Sequence, residues 1–375
     1  MDIVFVISHV PNPRMNKRIE VAKTLGKTGL IYWDRETVSI WDILHTDIKN
    51  IKINVKANYT SPLKRITPTI IFGYKAIKQL NKLKPSCIYT ANIDMLIIVS
   101  LYSLLKKNKP EIIYESADLN SLIADEQKSV IKRLFKKMLI YIEKQLCKKI
   151  NTLVVTSRKF YEDYYSNFVS KEKLLFIPNM PDLRAFSNFS RKKKGVFTIG
   201  FIGAIRYKDQ MKMLIDAAEK TEVNVLFAGE GLDSEIEKIS QNKSFVEYSG
   251  KYNYNRDISY LYGQVDAIYS VYDLDKNNVK MALPNKLYEA IHCSLPIIVS
   301  KGTYLAEIVE SKRVGVAVSH NESAELERVL NKLNNDKSYY FSFVESCEKV
   351  KDEIDLNIYN IELFNRFDTI LSNKN

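Results

Sequence analysis

The chain has no paired cysteines, no clustered histidines and no long apolar run, and each absence removes a class of function. Cys87, Cys147, Cys293 and Cys347 stand 60, 146 and 54 positions apart. No Cys-x-x-Cys occurs, so neither a zinc site nor a thiol redox motif is suggested, and isolated reduced core thiols are the simplest account. Four histidines are scattered without a His-Glu-x-x-His, and no phosphate loop ending in Gly-Lys-Ser/Thr is present, so no metal site is expected. The longest nearly apolar run, Met95 to Leu105, is too short to span a bilayer. The N-terminus enters Asp2-Ile3-Val4-Phe5-Val6-Ile7, the pattern of a buried strand rather than a signal peptide, so a cytoplasmic location is expected.

What is present is the composition of a soluble globular protein, 46% apolar and 27% charged, over 375 residues. That length exceeds one ordinary core, and two domains are expected. The net charge of +12 is uneven. Residues 1–190 hold 31 Lys and Arg against 17 Asp and Glu, a balance of +14, while residues 191–375 hold 25 against 27. The basic half should meet something acidic, such as an anionic membrane surface or acceptor. Nucleic acid is disfavoured, since no recognition motif accompanies the charge.

Apolar strand-like runs alternate with helical patterns along the whole chain, which predicts parallel α/β architecture. Strands are expected near 2–8, 28–33, 52–55, 86–90, 111–115, 152–156 and 174–178, then near 197–203, 224–229, 246–249, 266–272, 296–300 and 314–318. Helices fall between them, including a long one over 121–149, and two more follow residue 335. Residues 181–196 lose the pattern and gain charge, with Arg191-Lys192-Lys193-Lys194-Gly195, and read as a linker. The division is therefore 1–180, a linker 181–196, 197–355, and a final helix 356–375 packing back on the first domain. Ligands in such sheets bind outside the strand C-terminal ends, so the loops after strands carry the candidates.

The most informative of these loops is Leu283-Pro284-Asn285-Lys286-Leu287-Tyr288-Glu289. Pro284 suits a first helical turn, so Asn285, Lys286, Leu287 and Glu289 lie within about one turn of a helix start. A helix N-terminus with a lysine attracts phosphate, and a carboxylate one turn on can accept hydrogen bonds from sugar hydroxyls. Gly200 and Gly203 let backbone approach a ligand, and Arg206 can pair with a diphosphate; the other reading is a glycine turn with solvated cations. Phe227-Ala228-Gly229-Glu230-Gly231 and Ser249-Gly250-Lys251-Tyr252 fit a base-binding loop or ordinary turns equally well.

With Ile199-Gly200-Phe201-Ile202-Gly203, Arg206, Leu214-Ile215-Asp216-Ala217 and Pro284-Asn285-Lys286-Leu287-Tyr288-Glu289 in this order, the second half resembles the nucleotide-sugar-binding domain of glycosyltransferase family 4. That family consists of retaining enzymes of GT-B fold. The first half resembles it more faintly, through Asn12-Pro13-Arg14, Ile112-Ile113-Tyr114-Glu115-Ser116-Ala117-Asp118 and Thr152-Leu153-Val154-Val155-Thr156-Ser157. The resemblance implies two Rossmann-like domains facing a cleft, a nucleotide diphosphate sugar as donor, a glycan acceptor and no metal or other cofactor. Glu289 would bind the donor ribose, Arg206 the diphosphate, with Asn285 and Lys286 near it and Gly203, Glu230, Gly231 and Tyr252 lining the donor pocket.

Three positions depart from the family pattern. The first of its two glutamates falls on Met281, its phosphate lysine on Asp209 with Lys208 or Lys212 as substitutes, and its first-domain histidine on Ala117. Asn12, Arg14, Glu115 and Asp118 remain for the acceptor side. His9 reads either as a polar strand cap or as a contact to acceptor or donor phosphate, and Asp118 either orients a sugar hydroxyl or caps the next helix.

In the helix over 129–149, Ile131, Leu134, Phe135, Met138 and Leu139 form an apolar stripe flanked by Lys132, Arg133, Lys136 and Lys137. It is either a core helix with a solvated basic face or a docking element for an anionic bilayer presenting a lipid-linked acceptor. The expected activity is a hexosyltransferase-type glycosyl transfer in capsule, exopolysaccharide or O-antigen synthesis, at the inner face of the membrane. A nucleotide-sugar epimerase or hydrolase of the same fold, or a non-catalytic nucleotide-sugar scaffold, are the alternatives.

Overall fold

A computed structural model describes residues 1–35, 42–57, 63–192 and 195–373. Lys193 and Lys194 of the expected linker, and residues 374 and 375 of the expected last helix, lie outside the described residues. The chain forms two compact units, Met1–Asn179 with Leu356–Asn375, and Met180–Asp355.

The first unit begins β1 (Ile3–Ile7), α1 (Pro13–Lys23), β2 (Thr28–Asp34), β3 (Lys49–Asn54), α2 (Ile66–Leu83), β4 (Cys87–Ala91) and α3 (Ile93–Leu104). It continues β5 (Glu111–Ser116), α4 (Ser121–Ala124), α5 (Val130–Cys147), β6 (Thr152–Val155), α6 (Arg158–Asp163) and β7 (Leu174–Phe176). The strands form one sheet in the order β3-β2-β1-β4-β5-β6-β7. Pairing is parallel throughout, with Ile3 opposite Thr28 on one side and Cys87 on the other. A sheet covered on both faces needs strands apolar at every position, and all five residues of β1 are buried. Ile3, Phe5 and Ile7 share a cluster with Met15 and Ile19 of α1.

The second unit runs β8 (Thr198–Ile202), α7 (Lys208–Lys220), β9 (Asn224–Ala228), α8 (Asp233–Asn242), β10 (Val246–Tyr248), α9 (Tyr254–Gly263) and β11 (Ala267–Ser270). Then come α10 (Asn277–Met281), α11 (Asn285–His292), β12 (Ile297–Ser300), α12 (Tyr304–Ser311), β13 (Gly315–Val318), α13 (Ser323–Asn335) and α14 (Lys337–Val350). Its sheet is again parallel, in the order β10-β9-β8-β11-β12-β13. The last helix, α15 (Leu356–Ser372), returns to the first unit, where Leu363 and Phe367 are fully buried and Phe367 lies 6.0 Å from the Tyr89 ring.

Both sheets reverse strand order beside their first strand, between β1 and β4 and between β8 and β11. Those reversals are the positions where open α/β sheets leave a crevice for ligand.

Three local departures from the sequence reading are visible. The single helix expected over 121–149 breaks at 125–129. Asn120 caps α4 through Leu122 N, and Gln127 and Lys136 bond the carbonyls of Leu122 and Asp125, which stabilises the break. Pro284 occupies the cap of α11 rather than its first turn, with an extended ψ of 154°. Residues 181–192 pack into the second unit: Phe186 is buried edge-on to Tyr262, and Arg191 lies 3.6 Å from Asp266.

Candidate functional site

At the switch point of the second sheet the turn after β8 is held by backbone alone. Gly203 N donates to Ala228 O at 2.8 Å, and Ile205 N donates to Glu230 O at 2.7 Å. A Cβ on Gly229 would stand 2.0 Å from Gly203 O, and one on Gly231 would stand 1.9 Å from Ile205 O. Both glycines also have φ near +137°, a region closed to other residues at low cost. The Gly-x-Gly therefore joins the loops after β8 and β9. Glu230 points out of this contact and is exposed, paired with Lys251 at 2.8 Å.

The side chain reaching this turn is Lys286. A Cβ on Gly203 would meet Lys286 Cε at 3.2 Å. Lys286 is only 7% exposed, and its Nζ donates to the Tyr272 hydroxyl at 3.1 Å and sits 3.5 Å above the Phe201 ring. Among the described residues no carboxylate pairs with it. Aromatic faces and a hydroxyl offset part of the cost of desolvating an ammonium, which is several kcal/mol, but they do not neutralise it. Next to it Asn285 Oδ1 is buried with no hydrogen-bond partner, and no side chain caps the N-terminus of α11. A buried cation, an orphan amide oxygen and open helix N–H groups thus converge where an anion with hydroxyl groups would satisfy all three.

One turn along α11, Glu289 is 4% exposed. Its Oε1 accepts from Tyr254 at 2.6 Å, and its Oε2 accepts from Tyr262. Burial first, and then the Glu289 charge, pushes the phenols of Tyr252, Tyr254 and Tyr262 well above their usual range, so all three stay protonated donors. Sequence reasoning left Glu289 without a partner after Met281, and it named Tyr252 but missed Tyr254, Tyr262 and Tyr272. The available signal was the spacing of Tyr254 and Tyr262, eight residues apart on α9, which places both on one face.

The other donor-side positions are less concentrated. Arg206 is exposed and makes no ion pair among the described residues. Lys208 pairs with Glu235 of α8 at 2.9 Å, and Lys212 and Asp209 lie exposed on α7. Leu287 has its side chain in the core at 2% exposure, so it offers a ligand no side-chain surface. Tyr252 is half-buried at the end of the loop after β10.

On the first unit Glu115 is not an acceptor contact. It is completely buried on β5, where Arg14 Nε lies 2.8 Å from Oε1, Arg18 Nε lies 3.5 Å from Oε2, and Tyr89 donates its hydroxyl. The Arg14 contact is an ion pair without hydrogen-bond alignment. Burial would raise the Glu115 pKa, but the Arg18 and Arg14 charges and these contacts outweigh it and hold the carboxyl below its usual range. Asn12 caps α1 through Met15 N at 3.0 Å. Of the two arginines beside Glu115, Arg14 reaches solvent, its side chain 16% exposed, while Arg18 is fully buried.

His9 follows β1, with Nδ1 2.7 Å from Val10 O, and burial lowers its pKa so that the neutral ring is favoured. Asp118 is exposed after β5, and Asn120, not Asp118, caps the following helix.

A parallel sheet with its strand order reversing between β8 and β11 is the architecture of a Rossmann-like unit, and the buried Lys286 lies beside that reversal. Residues 196–336 match the model of the family described as Glycosyl transferases group 1. The succinoglycan biosynthesis protein ExoL of Rhizobium meliloti (strain 1021) is 26% identical over 266 residues, covering 67% of this chain and 64% of its own length. The chain thus spans just under two thirds of that relative. Among solved structures, Anabaena Alr3699/HepE in complex with UDP superposes with a TM-score of 0.72 at 14% identity, over 98% of this chain and 100% of that one. Sucrose-phosphate synthase of Thermosynechococcus elongatus gives 0.75 at 13% identity, over 99% and 100%. The chain has the GT-B fold of two Rossmann-like domains.

Proposed function

We propose that the protein is a retaining glycosyltransferase of family 4 that moves a sugar from a nucleotide diphosphate donor to a hydroxyl of a glycan acceptor. The observation that carries this reading is Lys286, a cation desolvated beside Gly203 with no counter-charge among the described residues. A diphosphate there would neutralise it and bond the open N–H groups of α11, while Arg206 reaches the diphosphate from the exposed side. Glu289 takes the ribose hydroxyls. Tyr254 and Tyr262 donate to its two oxygens and fix the orientation of the carboxylate.

Transfer breaks the bond between the anomeric carbon and the diphosphate oxygen as the acceptor oxygen bonds the same face. The proton of the acceptor hydroxyl passes to the departing diphosphate oxygen. Stabilising the charge on that leaving group is the main catalytic task, and cations with helix N–H groups supply it in place of a metal. The complex of HepE with UDP supports uracil as the base, and the likeness to the succinoglycan biosynthesis protein ExoL supports a glycan acceptor in polysaccharide synthesis; on this reading the acceptor is lipid-linked and presented at the inner face of the cell membrane.

Titration calorimetry with UDP tests the donor site, and UDP release from a panel of nucleotide sugars, with membrane extract as acceptor source, tests transfer. Micromolar UDP affinity that is lost in Arg206→Ala is expected. A chain that binds no nucleoside diphosphate is not this enzyme.

A further inference from the structure

The apolar stripe of α5 is not in the core. Ile131 is 67% exposed, Leu134 69% and Phe135 46%, and Met138 and Tyr141 continue the stripe. The only buried residues of this 18-residue helix are Glu143 and Cys147 in its last turns. Glu143 anchors that end, accepting hydroxyls from Tyr114, Tyr164 and Tyr165. The first three turns therefore stand on the surface with their apolar side uncovered, where a helix of that length has little stability of its own.

Charge identifies what covers it. Residues 127–142 contain five cations, Lys128, Lys132, Arg133, Lys136 and Lys137, and no acid. A second, independent face repeats the pattern. Ile66, Ile70, Ile71 and Tyr74 of α2 are exposed, beside Lys64 and Arg65, and residues 48–93 contain nine Lys and Arg and no acid. α3 packs between α2 and α5. Helices that return between parallel strands run against them, so the N-terminal halves of α2 and α5 both stand at the strand C-terminal edge, the edge that carries His9 and Arg14. A second copy of this chain would bring like charge against like charge, which disfavours self-association through this face.

We propose that the N-terminal halves of α5 and α2 form a docking surface for an anionic lipid bilayer. The apolar side chains enter the acyl boundary and the flanking cations lie among the headgroup phosphates. The proposal rests on the lipid-linked acceptor reading for its role, and it places the acceptor-bearing leaflet at the ligand edge of the first sheet. It also gives a partner to the basic charge of residues 1–190.

The test is sedimentation of the full chain with vesicles of equal phosphatidylglycerol and phosphatidylcholine, and with phosphatidylcholine alone. Binding to the anionic vesicles, weakened by salt, is expected, with far less to the zwitterionic ones. Leu134→Asp with Phe135→Asp should reduce it by about tenfold or more, and each of Lys132→Gln and Lys137→Gln by about fivefold. Thermal melting and UDP affinity of each variant are measured alongside. A chain that stays in the supernatant with both vesicles, or a double aspartate variant that binds like the parent, overturns the surface and leaves the donor site standing. A dimer that Leu134→Asp dissociates also overturns it, since the face then belongs to a second copy. Vesicle binding without UDP binding overturns the donor reading alone.

Discussion

Replacing Lys286 by methionine separates a ligand-binding residue from a packing residue, because the two roles predict opposite effects on stability. In the free protein the ammonium is buried at several kcal/mol of desolvation. The Phe201 face returns about 2 kcal/mol at such a site, and the bond to Tyr272 about 1.5–3 kcal/mol. These terms nearly cancel, and methionine fills the same volume without a charge. Lys286→Met should therefore leave the melting temperature unchanged or raise it. Binding should move the other way. A charged hydrogen bond to the diphosphate is worth about 1.5–3 kcal/mol, or about 10- to 150-fold in Kd. Calorimetry with UDP, and with uridine as a ligand that lacks the phosphates, measures the loss and assigns it. Uridine affinity should not change. A variant that melts more than about 5 °C lower while binding UDP like the parent refutes the argument, since the lysine is then a structural element of the core.

Tyr254→Phe with Tyr262→Phe strips both hydroxyls from Glu289 and should lower UDP affinity by about tenfold or more through a misoriented carboxylate, with uridine affected as much as UDP. Equal affinities in parent and variant would remove Glu289 from the ribose site. Glu115→Gln leaves Arg14 and Arg18 without their counter-ion and should cost about 3–5 kcal/mol in urea unfolding at neutral pH. Because the Glu115 pKa is lowered in the folded protein, its stabilisation is full above the unfolded carboxyl value of about 4.3 and is lost as pH falls through the folded value. The glutamine variant should lack that part of the acid limb. Gly229→Ala forces a methyl to 2.0 Å from Gly203 O and should cost about 2 kcal/mol or more, displacing the turn that receives Lys286 and weakening UDP binding.

The architecture was legible because parallel strands buried on both faces must be apolar runs, and Ile3 to Ile7, Leu153 to Val155 and Ile297 to Val299 are such runs, alternating with longer helical patterns. The block from Pro284 to Glu289 was legible for a related reason, since a helix start confines its polar groups to one turn. Burial was not legible. Glu115 stands between Tyr114 and Ser116 with nothing local to show that Arg14 and Arg18, about a hundred residues earlier, close over it. The spacing of Tyr254 and Tyr262 puts both on one face of α9, but their partner is on another helix and the spacing does not say which residue that face meets. The stripe of α5 was visible as an amphipathic pattern, but periodicity reports that a face is apolar and not what covers it.

The return of α15 also fixes an order of events during synthesis. Residues 180–355 are continuous, and their sheet can close as soon as they leave the ribosome. The first unit cannot complete its core until later, because Leu363 and Phe367, which pack beside Phe5 and Tyr89, follow residue 355. Each of those side chains contributes about 1.5–3 kcal/mol when buried, so the nascent first unit waits with an open apolar surface while the second is made. The first unit is thus begun before the second and finished after it, and through that interval it is the unit with more to gain from a chaperone.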